Sequence, residues 1–293
     1  MSAPRGEACP ACGGPERDWT SKNGHRLARC QYCRTVAARL EHQPQPAGAD
    51  YAQYHQEAEF RVAESAQSSL DALVVGADRY RQLGHWLDVG FGEGALLRAA
   101  EAHGWQCAGI EVSPHALAFG HARGWRVLDA KEADQQIEAR AFDVVTLVEV
   151  VEHVVDPVQT LRRAVAWLRP GGLLFLTTPN GDSLNRRLLG PGWSIFCPPE
   201  HLTIWTPRGL RIALGQLGLT RIRVRTHGLN PVEILAAARR GKSAPVHRQE
   251  AAESLNVALS RTAGRRLAKR AANGVLSLLG IGDTIKVWCE RPS

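Results

Sequence analysis

No run of eighteen apolar residues occurs anywhere in the 293-residue chain, which excludes a hydrophobic membrane-spanning helix at the level of sequence. The first thirty residues lack an apolar signal core and carry Arg, Glu and Asp instead, so no secretory leader is expected. Cysteine is too sparse and too unevenly placed for a disulfide scaffold: there are seven, and four of them fall in two CxxC pairs. That usage predicts a reducing, cytoplasmic setting and one metal site. Positive charge is missing where a nucleic-acid groove would need it. The net charge of +7 divides into +2 over residues 1–50, −4 over 51–220 and +9 over 221–293, so the basic character belongs to the last quarter of the chain. With 44% apolar and 22% charged residues, the sequence can bury a full core and is not of disordered composition.

What is present begins with Cys9-Pro-Ala-Cys12-Gly-Gly and Arg29-Cys30-Gln-Tyr-Cys33-Arg. Two CxxC knuckles on either side of a polar spacer suit a tetrahedral zinc ion, because each tight turn presents two thiolates and a hairpin brings the knuckles together. Reduced cysteines without metal, or a pair of redox motifs, are the other readings. Zinc is preferred because so short a region has almost no apolar core of its own. Four thiolates from Cys9, Cys12, Cys30 and Cys33 leave no position for water, so the ion is expected to be structural.

Pro44, Pro46 and Gly48 mark a linker, which predicts a zinc ribbon over residues 1–43 and a linker with an N-terminal helical cap over 44–84. Tyr51, Tyr54 and His55 near the start of that cap suit either a cover over a ligand or ordinary packing, and Tyr54 is a candidate cofactor contact. From His85 onward, short apolar strands alternate with helical segments. That pattern predicts an α/β fold with a mainly parallel sheet covered on both faces. Pro170-Gly171-Gly172 reads as the stop of one helix and the turn into the next strand. The domain is expected to span 85–293, with a lid over 181–206 and a helical insertion over 231–280. Ligands of such sheets lie beyond the C-terminal ends of the strands, so the loops at Gly90, Glu111, Asp129, Glu149 and Thr178 should face one crevice.

The first loop reads Leu87-Asp88-Val89-Gly90-Phe91-Gly92-Glu93-Gly94-Ala95 and stands between a strand and a helix. Glycines there permit left-handed backbone and a close approach to the helix N-terminus. The segment also satisfies GxGxxA, and Glu111, at the end of the next strand, can accept both hydroxyls of a ribose. Both features suit a nicotinamide dinucleotide as well as other adenosine cofactors.

The set LDVGFGEG, GIEVS, FDVVTLVEVVEHVVDP and LRPGGLLFLTTPN resembles the class I S-adenosylmethionine-dependent methyltransferases, especially those similar to ubiquinone 3-O-methyltransferase. The resemblance covers about residues 51–227 and implies a seven-stranded sheet whose last strand is antiparallel. It implies that Asp88 lies at the methionine part of S-adenosylmethionine, that the Gly90, Gly92 and Gly94 turn passes under it, that Glu111 holds the ribose and that Asp129 meets the adenine. Glu149 is a further candidate on the cofactor or substrate side. Residues 191–205 and the end of the chain are similar to a subset with a lid-like segment, some members of which carry an N-terminal zinc ribbon.

Methyl transfer from a sulfonium needs mainly alignment and exclusion of water, with a base useful where the acceptor is a hydroxyl. His153 after the fourth strand and His201 after the lid are the candidate bases, each balanced by a loop-shaping role. Trp193, Ile195, Phe196, Leu202, Ile204 and Trp205 suit either ordinary core or an apolar pocket for a small, aromatic or lipid-linked acceptor. In the insertion, apolar residues from Leu255 to Leu279 at helical spacing run beside Arg261, Arg265, Arg266, Lys269 and Arg270. They suit a solvated face, peripheral contact with an anionic membrane, or a clamp on a phosphate-bearing acceptor. The expected reaction is O-methylation of a small molecule. N- or C-methylation would use the same cofactor site, and a zinc-ribbon nucleic-acid-binding protein is the non-enzymatic alternative, disfavoured by the charge distribution.

Overall fold

The computed structural model describes residues 8–39, 64–231, 233–235 and 273–293. Tyr51, Tyr54, His55 and the basic stretch from Arg261 to Arg270 lie outside the described residues. The described parts of Glu41–Thr177, Leu214–Arg223 and Val287–Ser293 form one compact unit, and those of Met1–Leu40, Thr178–Ala213 and Val224–Lys286 form another.

Two sheets organise the described residues. The smaller has the order β1 (Glu16–Lys22), β2 (His25–Cys30), β3 (Val36–Arg39) and β9 (Thr203–Ile204), and its pairings are antiparallel. The larger comprises β4 (His85–Val89), β5 (Gln106–Glu111), β6 (Arg126–Asp129), β7 (Phe142–Val148), β8 (Leu168–Pro179), β10 (Thr220–His227) and β11 (Thr284–Glu290). Its order is β10-β11-β8-β7-β4-β5-β6, and β8, β7, β4, β5 and β6 run parallel. The α/β class and the seven-stranded, mainly parallel sheet expected from the motifs are what the chain forms. The last strand is antiparallel to β8: Gly171 and Arg291 lie together at one end of the pair, and the Asn180 N–H meets the Asp283 carbonyl at the other.

Among the described residues, helices include α1 (Glu64–Ala77), α2 (Ala95–Ala102), α3 (Pro114–Ala122), α4 (Ala133–Gln136), α5 (Pro157–Trp167), α6 (Leu184–Leu189) and α7 (Pro207–Gln216). Their starts follow from local chemistry. Ser113 and Asp156 accept the N–H groups of Ala116 and Gln159, each with proline in the first turn, which satisfies an otherwise orphaned donor. Helix α2 opens instead on Gly94 at φ +68° with no side-chain cap, leaving its N-terminal donors facing the glycine turn. Val74, Leu96, Trp86, Trp105, Val144 and Phe175 pack into one buried cluster between helices and sheet, with Trp86 and Trp105 edge to face at 5.3 Å.

One expectation about β8 needs correction. Pro170-Gly171-Gly172 does not separate a helix from a strand but lies inside β8, which begins at Leu168. The parallel register with β7 jumps from Phe142↔Leu168 to Val144↔Leu173, so the three residues form an irregularity that the strand absorbs. Glycine is required there. Gly171 has φ +72°, and a Cβ on Gly172 would lie 2.9 Å from the Asp143 carbonyl oxygen.

That irregularity frames a buried ion pair. Asp143 is fully buried at the start of β7, with Arg169 bound to one carboxylate oxygen. The other oxygen accepts the N–H groups of Leu83, Gly84 and His85 at 2.9, 2.7 and 3.3 Å. Arg169 also donates to the carbonyls of Pro170 and Tyr80. Burial raises the Asp143 pKa, but Arg169 and the backbone donors more than offset it and hold the group below its ordinary value. Its stabilisation is therefore full above the ordinary aspartate range and is lost as pH falls through that range to the depressed value.

In the other unit, Leu27, Val36, Trp193, Phe196 and Ile204 form the core, with Trp19 against Phe196 at 5.1 Å and Trp193 against Phe196 at 5.6 Å. Trp205 is also wholly buried. Of the two readings of residues 191–205, ordinary core describes these aromatics, and their partners include the ribbon strands. The Lys22 ammonium donates to the Trp193 carbonyl, and the Asn23 amide to that of Pro198.

Replacement of Asp143 by Asn should leave Arg169 charged and uncompensated in the interior, at a cost of about 3 kcal/mol or more. Urea unfolding of parent and variant measures this; a difference below about 1 kcal/mol would remove the pair from its structural role.

Candidate cofactor site and cysteine centre

The C-terminal ends of β4, β5, β6 and β7 bring Asp88, the glycine turn, Glu111, Asp129 and Glu149 to one edge of the parallel sheet. Asp88, at 3% exposure, accepts the Thr146 hydroxyl at 2.7 Å, and Thr146 in turn accepts the Trp86 indole N–H at 3.1 Å. Burial, with the nearby negative charge of Glu111, pushes the Asp88 pKa up to about 7. A carboxylate so placed lacks a cationic partner among the described residues and is suited to accept one.

Gly90, Gly92 and Gly94 all have positive φ, at +73°, +53° and +68°, but they differ in surroundings. A Cβ on Gly90 would lie 2.6 Å from Val150, and one on Gly94 would enter the Trp125 ring. At Gly92 it would meet nothing within 4 Å. The outer glycines are thus fixed by protein packing, whereas the middle one borders open space. Its N–H donates to Glu111 Oε2 at 3.0 Å, and Glu111 Oε1 accepts from Val112 and Ser113 at 2.7 and 3.2 Å. The glycine turn and the second-strand carboxylate are consequently one hydrogen-bonded structure.

Glu111 and Asp129 are direct partners in the β5–β6 register, so the two residues sit side by side at the strand ends. Asp129 accepts the Lys131 N–H at 2.8 Å, shaping its own loop. Glu149 takes φ +53°, unusual for a residue with a side chain, while its carboxylate accepts the Thr177 hydroxyl at 2.7 Å. His153 stands in the turn after β7, with Nε2 4.0 Å from the buried Glu152 carboxylate. Tyr54 lies outside the described residues. Sequence reasoning did not single out Thr146 and Thr177, which tie down Asp88 and Glu149; for Thr146 the signal was the lone hydroxyl in the apolar run FDVVTLV.

In the other unit His201 is mostly buried, its Nδ1 2.7 Å from the Ile195 carbonyl, and burial lowers its pKa. The same unit assembles Cys9, Cys12, Cys30 and Cys33, whose sulfurs all lie within 4.8 Å of one another. The knuckles repeat each other bond for bond. Gly13 N–H donates to Cys9 and Arg34 N–H to Cys30, while the N–H groups of Cys9 and Cys30 reach the carbonyls of Gly14 and Thr35. Gly13 and Arg34 both have φ +69°, closing each turn in the same way. The Cys30 sulfur also accepts the N–H groups of Tyr32 and Cys33 at 3.3 Å. Cys9–Cys33 and Cys12–Cys30 separations of 3.4 and 3.5 Å approach the roughly 3.8 Å edge of a tetrahedron with zinc–sulfur bonds of about 2.3 Å.

A sheet of this order with a glycine turn after its first parallel strand and an acidic residue ending the second defines the class I fold of S-adenosylmethionine-dependent methyltransferases. The model of the methyltransferase-domain family matches residues 25–224, and the chain belongs to that family. It is 33% identical over 146 residues to the ubiquinone biosynthesis O-methyltransferase of Coxiella burnetii, covering 43% of this chain and 62% of that one. It is 34% identical over 132 residues to that of Idiomarina loihiensis, covering 42% and 51%. The chain spans less than two thirds of the length of these curated relatives. Among solved structures, phosphoethanolamine N-methyltransferase 2 of Haemonchus contortus with S-adenosyl-L-methionine matches at TM-score 0.52 and 12% identity, covering 88% of this chain and 63% of that one. A SAM-dependent methyltransferase of Archaeoglobus fulgidus matches at 0.50 and 14%, covering 77% and 94%. At these identities the likeness is one of fold.

Because the folded Asp88 pKa of about 7 exceeds the unfolded value, ionised Asp88 destabilises the fold progressively as pH rises from the ordinary aspartate range to about 7, and uniformly above it. Asp88→Asn should therefore gain in melting temperature relative to the parent between pH 4 and 7, with the gain level above pH 8. A difference independent of pH would refute the raised value.

Proposed function

We propose that the chain transfers a methyl group from S-adenosylmethionine to an oxygen of a small metabolite. The observation that carries the cofactor reading is Gly92, left-handed and bordered by open space, with its N–H on the Glu111 carboxylate. In this reading Asp88 takes the cofactor's ammonium group, the turn shaped by Gly90 and Gly94 passes under its methionine part with Gly92 open to it, Glu111 accepts the ribose hydroxyls and Asp129 meets the adenine. Glu149 shapes the edge beside them, and Tyr54 is a further cofactor contact. When bound, the cofactor supplies an electrophilic methyl group, so the chain's own work is to orient the acceptor, exclude water and, for a hydroxyl acceptor, accept a proton. Oxygen as the acceptor atom is supported by the curated relatives, which are O-methyltransferases by name.

His153 is the preferred base. It belongs to the same unit as the cofactor residues and stands one turn past β7, beside a buried carboxylate suited to stabilise its protonated form. His201 is held through Nδ1 at the Ile195 carbonyl, and its lowered pKa suits a neutral structural ring.

We further propose that Cys9, Cys12, Cys30 and Cys33 hold one structural zinc ion. The four-sulfur geometry and the N–H donors to Cys30 support it, and a closed thiolate set has no position left for chemistry. Freshly purified, reduced protein should contain one zinc per chain by elemental analysis, and Cys30→Ser should lose it; a parent preparation without zinc would overturn the assignment.

Calorimetry tests the cofactor. S-adenosylmethionine should bind in preference to NAD, Gly92→Val should abolish binding, and Glu111→Ala should weaken it by about tenfold or more. Preference for NAD, or unchanged affinity in both variants, would refute the reading. Once label transfer from methyl-labelled cofactor has identified a hydroxyl acceptor, His153→Asn should lower turnover by about 10²- to 10⁴-fold and remove the acidic limb of its pH profile. Parental rate and profile in that variant would exclude His153 as the base.

A further inference from the structure

A cavity of about 710 Å³ opens in the cofactor-binding unit at the opposite edge of the sheet from the glycine turn. Its walls come from the segment before β4 (Arg79, Tyr80), the start of β8 (Arg169) and the outer strands β10 (Arg221, Arg223) and β11 (Trp288, Glu290). None of these residues takes part in the proposed methyl transfer.

The charges around this cavity do not balance. Arg169 is matched by Asp143 and carbonyl oxygens. Arg221 is matched by Glu290 Oε2 at 2.9 Å, and the other oxygen of Glu290 accepts the Tyr80 hydroxyl at 2.7 Å. Arg79 donates to that same hydroxyl at 2.8 Å and lies 4.8 Å from the Tyr80 ring centroid, but it meets no carboxylate among the described residues. Arg223 has no hydrogen-bond or ion-pair partner among them. The cavity therefore presents two guanidinium groups without acidic partners, one of them anchored by the chain Arg79–Tyr80–Glu290–Arg221. Guanidinium forks in a concave site favour bidentate oxyanions, and phosphoryl groups fit them best.

We propose that this cavity is a binding site for a small phosphate-bearing anion, with Arg79 and Arg223 as its principal ligands. Tyr80 and Glu290 position Arg79 and Arg221 and do not themselves favour the anion; the Glu290 charge is taken up by Arg221. A phosphate ester of metabolite size fits the volume, whereas an extended nucleic acid would need a longer basic track.

Pyrophosphate serves as the probe, titrated calorimetrically into the full chain at fixed ionic strength, with sodium chloride and sulfate as controls. Saturable binding at one site per chain, at least tenfold weaker in Arg79→Gln and in Arg223→Gln and unchanged in Arg126→Gln, is the expected result. Both altered side chains are exposed, and unchanged melting temperatures without anion would show that the variants fold. Non-saturable binding, equal response to chloride or sulfate, or affinity indifferent to both cavity variants would overturn the proposal. Because the readout needs no methyl transfer, it stands or falls separately from the proposed reaction.

Discussion

The sheet depends most on a single buried carboxylate. Asp143 gathers the N–H groups at residues 83–85, the Arg169 guanidinium and, through Arg169, the carbonyls of Tyr80 and Pro170. These groups stand where β4, β7 and β8 begin, and leaving a buried one among them, such as the Asp143 carboxylate, unsatisfied would cost about 1–3 kcal/mol. The carboxylate thus ties the starts of β4 and β7 together, whereas β8 takes up its own offset from β7 at Pro170–Gly172. Since strands are stiff and rise about 3.3 Å per residue, the β4–β7 register fixed there holds to the far end, where Asp88 and Glu149 emerge. The Thr146–Asp88 bond is the local confirmation of that register.

The same logic separates two uses of glycine in the turn after β4. Gly90 and Gly94 are demanded by the protein, because Val150 and Trp125 occupy the space of a Cβ. Gly92 is demanded by backbone conformation alone, and the protein has left the space beside it open. Open space beside a left-handed residue at the strand ends gives a ligand room to approach the backbone. Burial of Asp88 to a pKa of about 7 expresses the same preparation in electrostatic form. The Asp88 charge is expensive where it stands, and pairing with a cation would recover that cost.

Much of the fold was legible because hydrophobic periodicity and glycine placement are local signals. The strands at His85–Val89, Phe142–Val148 and Thr284–Glu290 and the helix Pro114–Ala122 could be read from runs, caps and prolines, and so could the two cysteine knuckles. Pro170-Gly171-Gly172 misled because a proline–glycine pair signals a break, while the tertiary demand at that point is for a strand irregularity that clears the Asp143 carbonyl. The destination of Trp193 and Phe196 was likewise undecidable from their own segment. Apolar residues announce that they need burial, but the partners that bury them, here Leu27 and Val36, stand more than 150 positions away.

That distant pairing also explains why a ribbon with little core of its own folds as it does. Thr203 and Ile204 add a fourth strand beside Val36 and Ala37, the Thr206 hydroxyl closes on the Cys33 carbonyl at 2.6 Å, and Gly209 leaves no room for a Cβ beside Thr35. The second cysteine knuckle is therefore held from outside by backbone and hydroxyl contacts as well as from inside by its sulfurs. A metal in such a centre would set the spacing of the knuckles, and the knuckles would set the edge on which residues 203–206 pair. Loss of the metal would accordingly loosen the 193–206 aromatics together with the ribbon, since the two share one core and cannot bury their apolar surface separately.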